Sequence, residues 1–200
     1  MAAQAIPLLT VDQYLEIERA AETKSEFHNG RMYAMSGGTV RHSRIGVSFA
    51  SALVVALKGG PCGVNSNDLR IRAGRIHTYP DVSVVCGEPK LADNYKDTLL
   101  NPTLVVEVLS PSTEAYDRGF KFSQYRDIES LQEYILVSQA EPRIEVFRRQ
   151  PSGEWLLSEA VGMDAHIRFQ SVDCEIALAD VYDKVTFDNP MPSEHPSPGA

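Results

Sequence analysis

Apolar positions recur at helical spacing twice in the first third of the chain. Val11, Tyr14, Leu15 and Ile17 mark one face between Thr10 and about Ala21, with Thr10 placed as the N-cap of a short amphipathic helix. Ile45, Val47, Phe49, Leu53, Val54 and Leu57 mark a longer one from Thr39 to about Lys58, stopped by Gly59-Gly60-Pro61. Between them, Ser25-Glu26-Phe27-His28 and Arg31-Met32-Tyr33-Ala34-Met35 flank Asn29-Gly30, a pair that accepts positive φ at both turn positions and predicts a hairpin. Three β-like runs follow: Gly63 to Asn67, Asp68 to Ala73, and Ile76 through Val85, the second and third joined at Gly74-Arg75. Gly87 to Pro102 is polar and reads as irregular.

Leu104 to Leu109 is a continuous, valine-rich apolar run, too short for an ordinary helix, and predicts a strand buried on both faces. Pro111 ends it, Thr113 is placed to cap, and a helix is expected to about Asp127 before a second buried strand, Glu133 to Ser138. Strand, helix and strand in that order fit a right-handed crossover unit. Arg143 to Arg148, Trp155 to Ser158 and weaker runs near Ile167 and Glu175 predict an antiparallel β extension. The expected class is α/β: a mixed β-sheet flanked by helices, with an N-terminal hairpin and a C-terminal antiparallel β extension. Residues 1–188 are read as a single domain. Residues 189–200, with four prolines and few large apolar side chains, are read as a disordered tail.

Two hundred residues with 43% hydrophobic and 23% charged positions exclude wholesale disorder and coiled coil. The longest mostly apolar stretch, Val47 to Leu57, falls short of the roughly 20 residues that cross a bilayer. No basic-then-apolar leader opens the chain, so a cytoplasmic protein is expected. Cys62, Cys86 and Cys174 are odd in number and far apart, and buried, reduced thiols are the expectation. The net charge of −8 argues against a polyanion partner, but it conceals a gradient. From Arg31 to Tyr79 the chain carries seven basic residues and one acid, Asp68. Asp68 is expected to pair with Arg70 and Arg72 on its own strand.

Glu107 needs explaining, because an ionised carboxylate within Leu104-Val105-Val106-Glu107-Val108-Leu109 is costly unless paired, protonated or bound to a metal. A strand-end position, a salt bridge to an arginine or a neutral carboxyl would each suffice. A second carboxylate, Asp81, follows Pro80 at the entry to the other strongly apolar strand. Adjacent strands would bring both within reach of one Mg²⁺ or Mn²⁺ ion, which binds one or two carboxylates together with water and substrate phosphate.

Pro80-Asp81 followed by Glu107 resembles the PD-(D/E)XK nuclease superfamily. Within it, Val11 to about Phe169 resembles the Uma family of restriction-endonuclease-like proteins. The resemblance is carried by Glu26-Phe-His-Asn-Gly-Arg-Met, Arg41-His42-Ser, Asn67-Asp68-Leu-Arg-Ile-Arg, Tyr79-Pro80-Asp81-Val-Ser-Val-Val, Val105-Val-Glu107-Val-Leu-Ser-Pro-Ser-Thr113, Asp117-Arg-Gly-Phe-Lys121-Phe-Ser-Gln-Tyr125 and Leu131-Gln-Glu-Tyr-Ile-Leu-Val137. It implies a restriction-endonuclease-like core, Asp81 and Glu107 as metal ligands, and Mg²⁺ or Mn²⁺ as cofactor. The superfamily places lysine two residues after the second acid, where this chain has Leu109. The resemblance implies a migrated lysine on the following helix, and Lys121 is the match. The alternative for Lys121 is a solvated lysine paired with Asp117 at i, i+4.

Glu26 is the third candidate acid, lining the site by resemblance or exposed on its strand. His42, in the first turn of the long helix, is a candidate phosphate donor or proton-transfer group. Tyr125, one turn past Lys121, shares its face and otherwise reads as half-buried packing. Arg41, Arg44, Arg70 and Arg72 are the candidate contacts to a phosphate backbone. The expected activity is divalent-metal-dependent hydrolysis of DNA phosphodiester bonds by a homodimer. The alternative is a degenerate nuclease fold that binds nucleic acid or protein without cutting.

Overall fold

The computed structural model describes residues 8–187. Helix α1 (Val11–Ala20) opens with a capping box in which Thr10 and Gln13 satisfy each other's backbone N–H groups. Strands β1 (Ser25–His28) and β2 (Arg31–Ala34) turn at Asn29 and Gly30, with φ of 51° and 77°. Helix α2 (Val40–Ala56) is capped by Thr39, whose hydroxyl accepts from His42 N. Then come β3 (Cys62–Ser66), β4 (Arg70–Ala73), β5 (Ile76–Thr78), β6 (Val82–Cys86), β7 (Thr98–Leu99) and β8 (Leu104–Val108). The crossover is α3 (Glu114–Tyr116), a π-helical turn (Asp117–Lys121) and α4 (Phe122–Tyr125), leading to β9 (Glu133–Val137). Strands β10 (Arg143–Arg149), β11 (Trp155–Val161), β12 (His166–Phe169) and β13 (Cys174–Ala177) precede a short α5 (Leu178–Val181).

The main sheet has the order β11-β10-β9-β8-β6-β3, and only β8 and β9 run parallel in it, as the crossover requires. A second sheet, β2-β1-β5-β4-β7, holds the N-terminal hairpin, and β12 and β13 form a two-stranded ribbon. Alternation along β8 divides the interior. Leu104, Val106 and Val108 join α2, α5 and the ribbon in one core, while Val105 and Leu109 join Ile71, Leu99, Tyr125 and Tyr134 in the other.

Several expectations are corrected. The run Ile76 through Val85 is two strands in different sheets, because the chain leaves β5 and enters β6 across Tyr79-Pro80-Asp81 and proline cannot donate to a ladder. The segment from Gly87 to Pro102 contains β7, parallel to β4. The expected helix from Thr113 is interrupted by the π turn, and Thr113 makes no side-chain cap. Cys62 and Cys86 are not free thiols: the antiparallel register of β3 and β6 sets them opposite each other, and they form a disulfide. Cys174 alone is free and is buried. The proline-rich segment 189–200 lies outside the described residues. Among the described residues no helix is long and apolar enough to cross a membrane.

Candidate active site

Glu107 and Asp81 share one face of the main sheet. In β8, Glu107 alternates with Val106 and Val108 and therefore faces the core of Val105 and Leu109. In β6, Val82 and Val84 belong to the opposite core, which puts Asp81 on the Glu107 side. The register agrees: Val82 pairs with Val106, and one step further Asp81 comes opposite Glu107. Val108 N donates to Asp81 Oδ2 at 2.7 Å, which fixes that carboxylate across the strand pair.

The π turn sets Lys121 over this face. Its widened ring lets Asp117 and Lys121 both turn inward, and both are buried. Lys121 Nζ lies 2.9 Å from Glu107 Oε1, 3.1 Å from Glu26 Oε1 and 3.6 Å from Asp117 Oδ1. The pairing with Asp117 exists, but neither group is solvated. Tyr125 is fully buried rather than half-buried, and its hydroxyl donates to Glu107 Oε1 at 3.0 Å. Glu26 reaches in from β1 and accepts from the Thr78 hydroxyl as well as from Lys121. His42 Nε2 lies 3.4 Å from Asp81 Oδ2. All five candidate side chains from Glu26 to Lys121 thus converge on one place where the two sheets meet.

The electrostatics follow from burial. Loss of water pushes the Glu107 carboxyl well above the ordinary range, Lys121 opposes that, and Asp117, Asp81 and Glu26 add to it. Burial also raises Asp117, with Lys121 opposing. For Lys121, burial disfavours the charge, but Glu107, Glu26, Tyr125 and Asp117 outweigh it and hold the amine protonated. The hydrogen bond to Asp81 raises His42, against the opposing effect of burial. One ammonium therefore faces three carboxyl groups, Glu107, Glu26 and Asp117, with Asp81 adjacent, an excess of acids over cations that is reflected in the raised Glu107 and Asp117.

A divalent cation fits that excess. Among the described residues no donor hydrogen-bonds to Glu107 Oε2 or Asp81 Oδ1, so each carboxylate keeps one oxygen for a ligand. No three His, Cys, Asp or Glu side chains among the described residues are grouped to hold an ion by themselves. Two carboxylates could supply only part of an ion's oxygen shell, and water or another oxygen ligand would have to complete it.

The arginines divide. Arg41 and Arg44 line a groove of about 550 Å³ with Leu109, Ser110 and Gln139, continuous with the strand that carries Glu107. Gln139 ties it together: its Nε2 donates to Leu109 O at 2.7 Å, its Oε1 accepts from Thr39 Oγ1, and its backbone carbonyl accepts from Arg41. Arg44 donates to Lys184 O at 3.0 Å. Arg72 is exposed. Arg70 is not a phosphate contact: it is 2% exposed, donates to Thr98 and Tyr79 and pairs with Asp97. Asp68 pairs with Lys24 instead of Arg70 or Arg72, because Arg70 is turned into the interior. Sequence reading left Asp117 as a mere partner of Lys121, although its spacing of four residues already put it on the same turn. Gln139 carried no signal, since its role depends on the end of β9 lying beside the end of β8.

A family model described as "Uma2: Putative restriction endonuclease" matches residues 11–179. Two proteins of Synechocystis are similar over most of their length. The uncharacterized protein slr1290 is 37% identical over 185 residues, covering 90% of this chain and 95% of the relative. The uncharacterized protein sll1609 is 34% identical over 171 residues, covering 84% of this chain and 97% of the relative. Among solved structures, a "putative nuclease belonging to DUF820" from Anabaena variabilis superposes with a TM-score of 0.71 at 20% identity, covering 87% of this chain and 97% of that one. At that identity the likeness shows the fold, a nuclease-like α/β arrangement.

Proposed function

This chain belongs to the Uma2 family of restriction-endonuclease-like proteins, and from that premise we propose that it is a divalent-cation-dependent endonuclease hydrolysing DNA phosphodiester bonds. One observation carries the reading. A buried lysine from the crossover helix meets Glu107 at 2.9 Å on the face that Asp81 shares, although the strand itself has Leu109 where the superfamily has lysine.

Asp81 and Glu107 would hold Mg²⁺ or Mn²⁺ through their free oxygens, and the ion when bound acidifies water and polarises a phosphoryl oxygen. The chain's own groups do the rest. Lys121, kept charged by three carboxylates, aims N–H bonds at the attacking water and at the negative charge that develops on phosphorus oxygens. Glu26 holds that amine directly and Tyr125 fixes its other partner, Glu107, so it enters the reaction already oriented. His42, whose hold on a proton is strengthened by Asp81, would donate to a phosphate oxygen. Arg41, Arg44 and Arg72 are the backbone contacts, giving affinity rather than sequence choice. The chain is taken as a homodimer and as one cytoplasmic domain over residues 1–188.

The test is incubation of chelator-stripped protein with supercoiled plasmid and with single-stranded DNA, with and without Mg²⁺ or Mn²⁺. Nicking is expected only with the ion, and Asp81→Ala or Glu107→Ala should reduce it by about 100-fold or more. Nicking that survives both substitutions overturns the proposal.

A further inference from the structure

The hairpin that carries Glu26 and the turn that carries Lys121 also meet in a cluster of rings with no part in the chemistry above. Tyr33 pairs directly with Glu26 across the hairpin, and His28 lies two residues beyond Glu26, so all three side chains leave the same face. The His28 ring is 4.3 Å from Tyr33, 5.0 Å from Phe120 and 5.9 Å from Tyr116, centroid to centroid. Tyr116 and Phe120 stack at 5.6 Å with planes 26° apart. Tyr116 precedes Asp117, and Phe120 precedes Lys121.

These rings differ from the tyrosines that build the interior. Tyr14, Tyr125, Tyr134 and Tyr182 are buried, and each hydroxyl donates to a protein oxygen. Tyr33 is 44% exposed, and Tyr116 and Phe120 are half-buried. Among the described residues the hydroxyls of Tyr33 and Tyr116 make no hydrogen bond, and His28 Nδ1 is buried without a partner. Arg31, opposite His28 in register, is exposed and makes no ion pair among the described residues. Accessible π-faces, unused polar atoms and one available guanidinium fit a nucleotide better than they fit packing.

We propose that Tyr33, Tyr116, Phe120 and His28 form a stacking platform for unpaired bases, and that the preferred substrate is single-stranded DNA or a single-stranded segment. In a duplex each base is already stacked on its neighbours, so only unpaired bases can offer a face to these rings. Tyr116 and Phe120 directly precede Asp117 and Lys121 in the chain, so bases resting here would bring the adjoining backbone toward that site, with the exposed Arg31 available to it. The position of the platform relative to cleavage rests on the nuclease reading. Its ability to bind bases does not.

The experiment compares wild-type protein binding to a fluorescent twelve-nucleotide oligothymidylate and to an abasic oligomer of equal length, in chelator and at one fixed salt concentration. Both ligands carry the same backbone charge, so the difference reports the bases. The oligothymidylate is expected to bind about five- to a hundred-fold more tightly for each base stacked. Tyr33→Ala and Tyr116→Ala should lose that preference, whereas Tyr33→Phe and Tyr116→Phe keep it. Equal binding of the two ligands by wild type overturns the proposal, and so does tighter binding of a blunt duplex of the same strand length. Loss of preference in the Phe variants would also overturn it, by assigning the effect to the hydroxyls. The wild-type comparison decides even if an Ala variant fails to fold. Because no cleavage is measured, a base preference in a protein that never nicks DNA would retain the platform and remove the nuclease reading.

Discussion

Lys121→Met removes one charge from the site and keeps an unbranched apolar stem only one heavy atom shorter. In the native protein the ammonium and Glu107 are each 6% exposed at the side chain and 2.9 Å apart. Truncating one partner of such a buried pair costs about 3–5 kcal/mol, because the other is left charged and dry. Here the orphaned group is Glu107, with Asp117 and Glu26 alongside, so a loss of about 3 kcal/mol is expected near neutral pH. With a urea slope of about 2 kcal/mol per molar, the unfolding midpoint should fall by about 1.5 M. The deficit should depend on pH in one direction. Glu107 and Asp117 have folded pKa values raised above the ordinary carboxylate range, and loss of the lysine removes the group that lowers them. A carboxyl raised in the fold binds its proton more tightly there than in the unfolded chain. Its destabilising effect is absent below the unfolded pKa and grows as pH rises toward the folded one. The variant should therefore approach wild type near about pH 4 and diverge above it, and Lys121→Met combined with Glu107→Gln should recover much of the loss. A variant as stable as wild type at every pH would refute the buried counter-ion. A loss of the same size at every pH would assign it to packing.

His77, 3% exposed between Tyr14 and Phe27, has its pKa pushed down to about 4 by burial, with Arg70 and Arg72 assisting. The unfolded chain binds the proton first, so stability should fall by about 3 kcal/mol as pH drops from about 6.5 to about 4, and His77→Phe should flatten that slope in urea melts. Thiol titration in denaturant should count one reactive cysteine per chain before reduction and three after it. With a sequence separation of 24 between the bridged cysteines, reduction should cost about 3 kcal/mol of stability. Arg70→Met should destabilise by about 3 kcal/mol or more yet leave affinity for oligonucleotides unchanged, whereas Arg41→Ala should weaken that affinity and make it less salt-dependent.

What could be read from the sequence depended on how far each signal reaches. The Asn29-Gly30 hairpin, the Thr10 cap and the β8 crossover to β9 are local patterns, and the structure has them, although the expected Thr113 cap is not made. Glu107 was conspicuous because a carboxylate amid valines has few outlets, and Asp81 because it follows a proline at the head of an apolar strand. Pairings across the chain left no such mark. Cys62 meets Cys86 only through the β3–β6 register, and Arg70 turns inward only because Thr98, Asp97 and Tyr79 arrive from elsewhere. The π turn was invisible because its sequence, Asp117 to Lys121, also suits an ordinary helix. Its effect is large nonetheless, since it puts an acid and a lysine in the interior together.

The charge imbalance at the seam is itself an argument about purpose. A buried ion pair kept for structure tends to be balanced and fully hydrogen-bonded, as Glu133 is here: Arg148, the Gln170 and Ser171 N–H groups and the Ser171 hydroxyl all serve its carboxylate. Glu107 lies one strand away in the same sheet under opposite conditions, with acids for neighbours and one ammonium shared among them. Apolar cores on either side of β8 hold that arrangement in place against its own repulsion. Stability alone would be served better by a glutamine or a leucine at position 107. Carboxylates held close, short of counter-charge and with oxygens unused are instead what binding a cation requires. The overall charge of −8 then has a local meaning, because several of the chain's acids, Glu26, Asp81, Glu107 and Asp117, are gathered at this one seam.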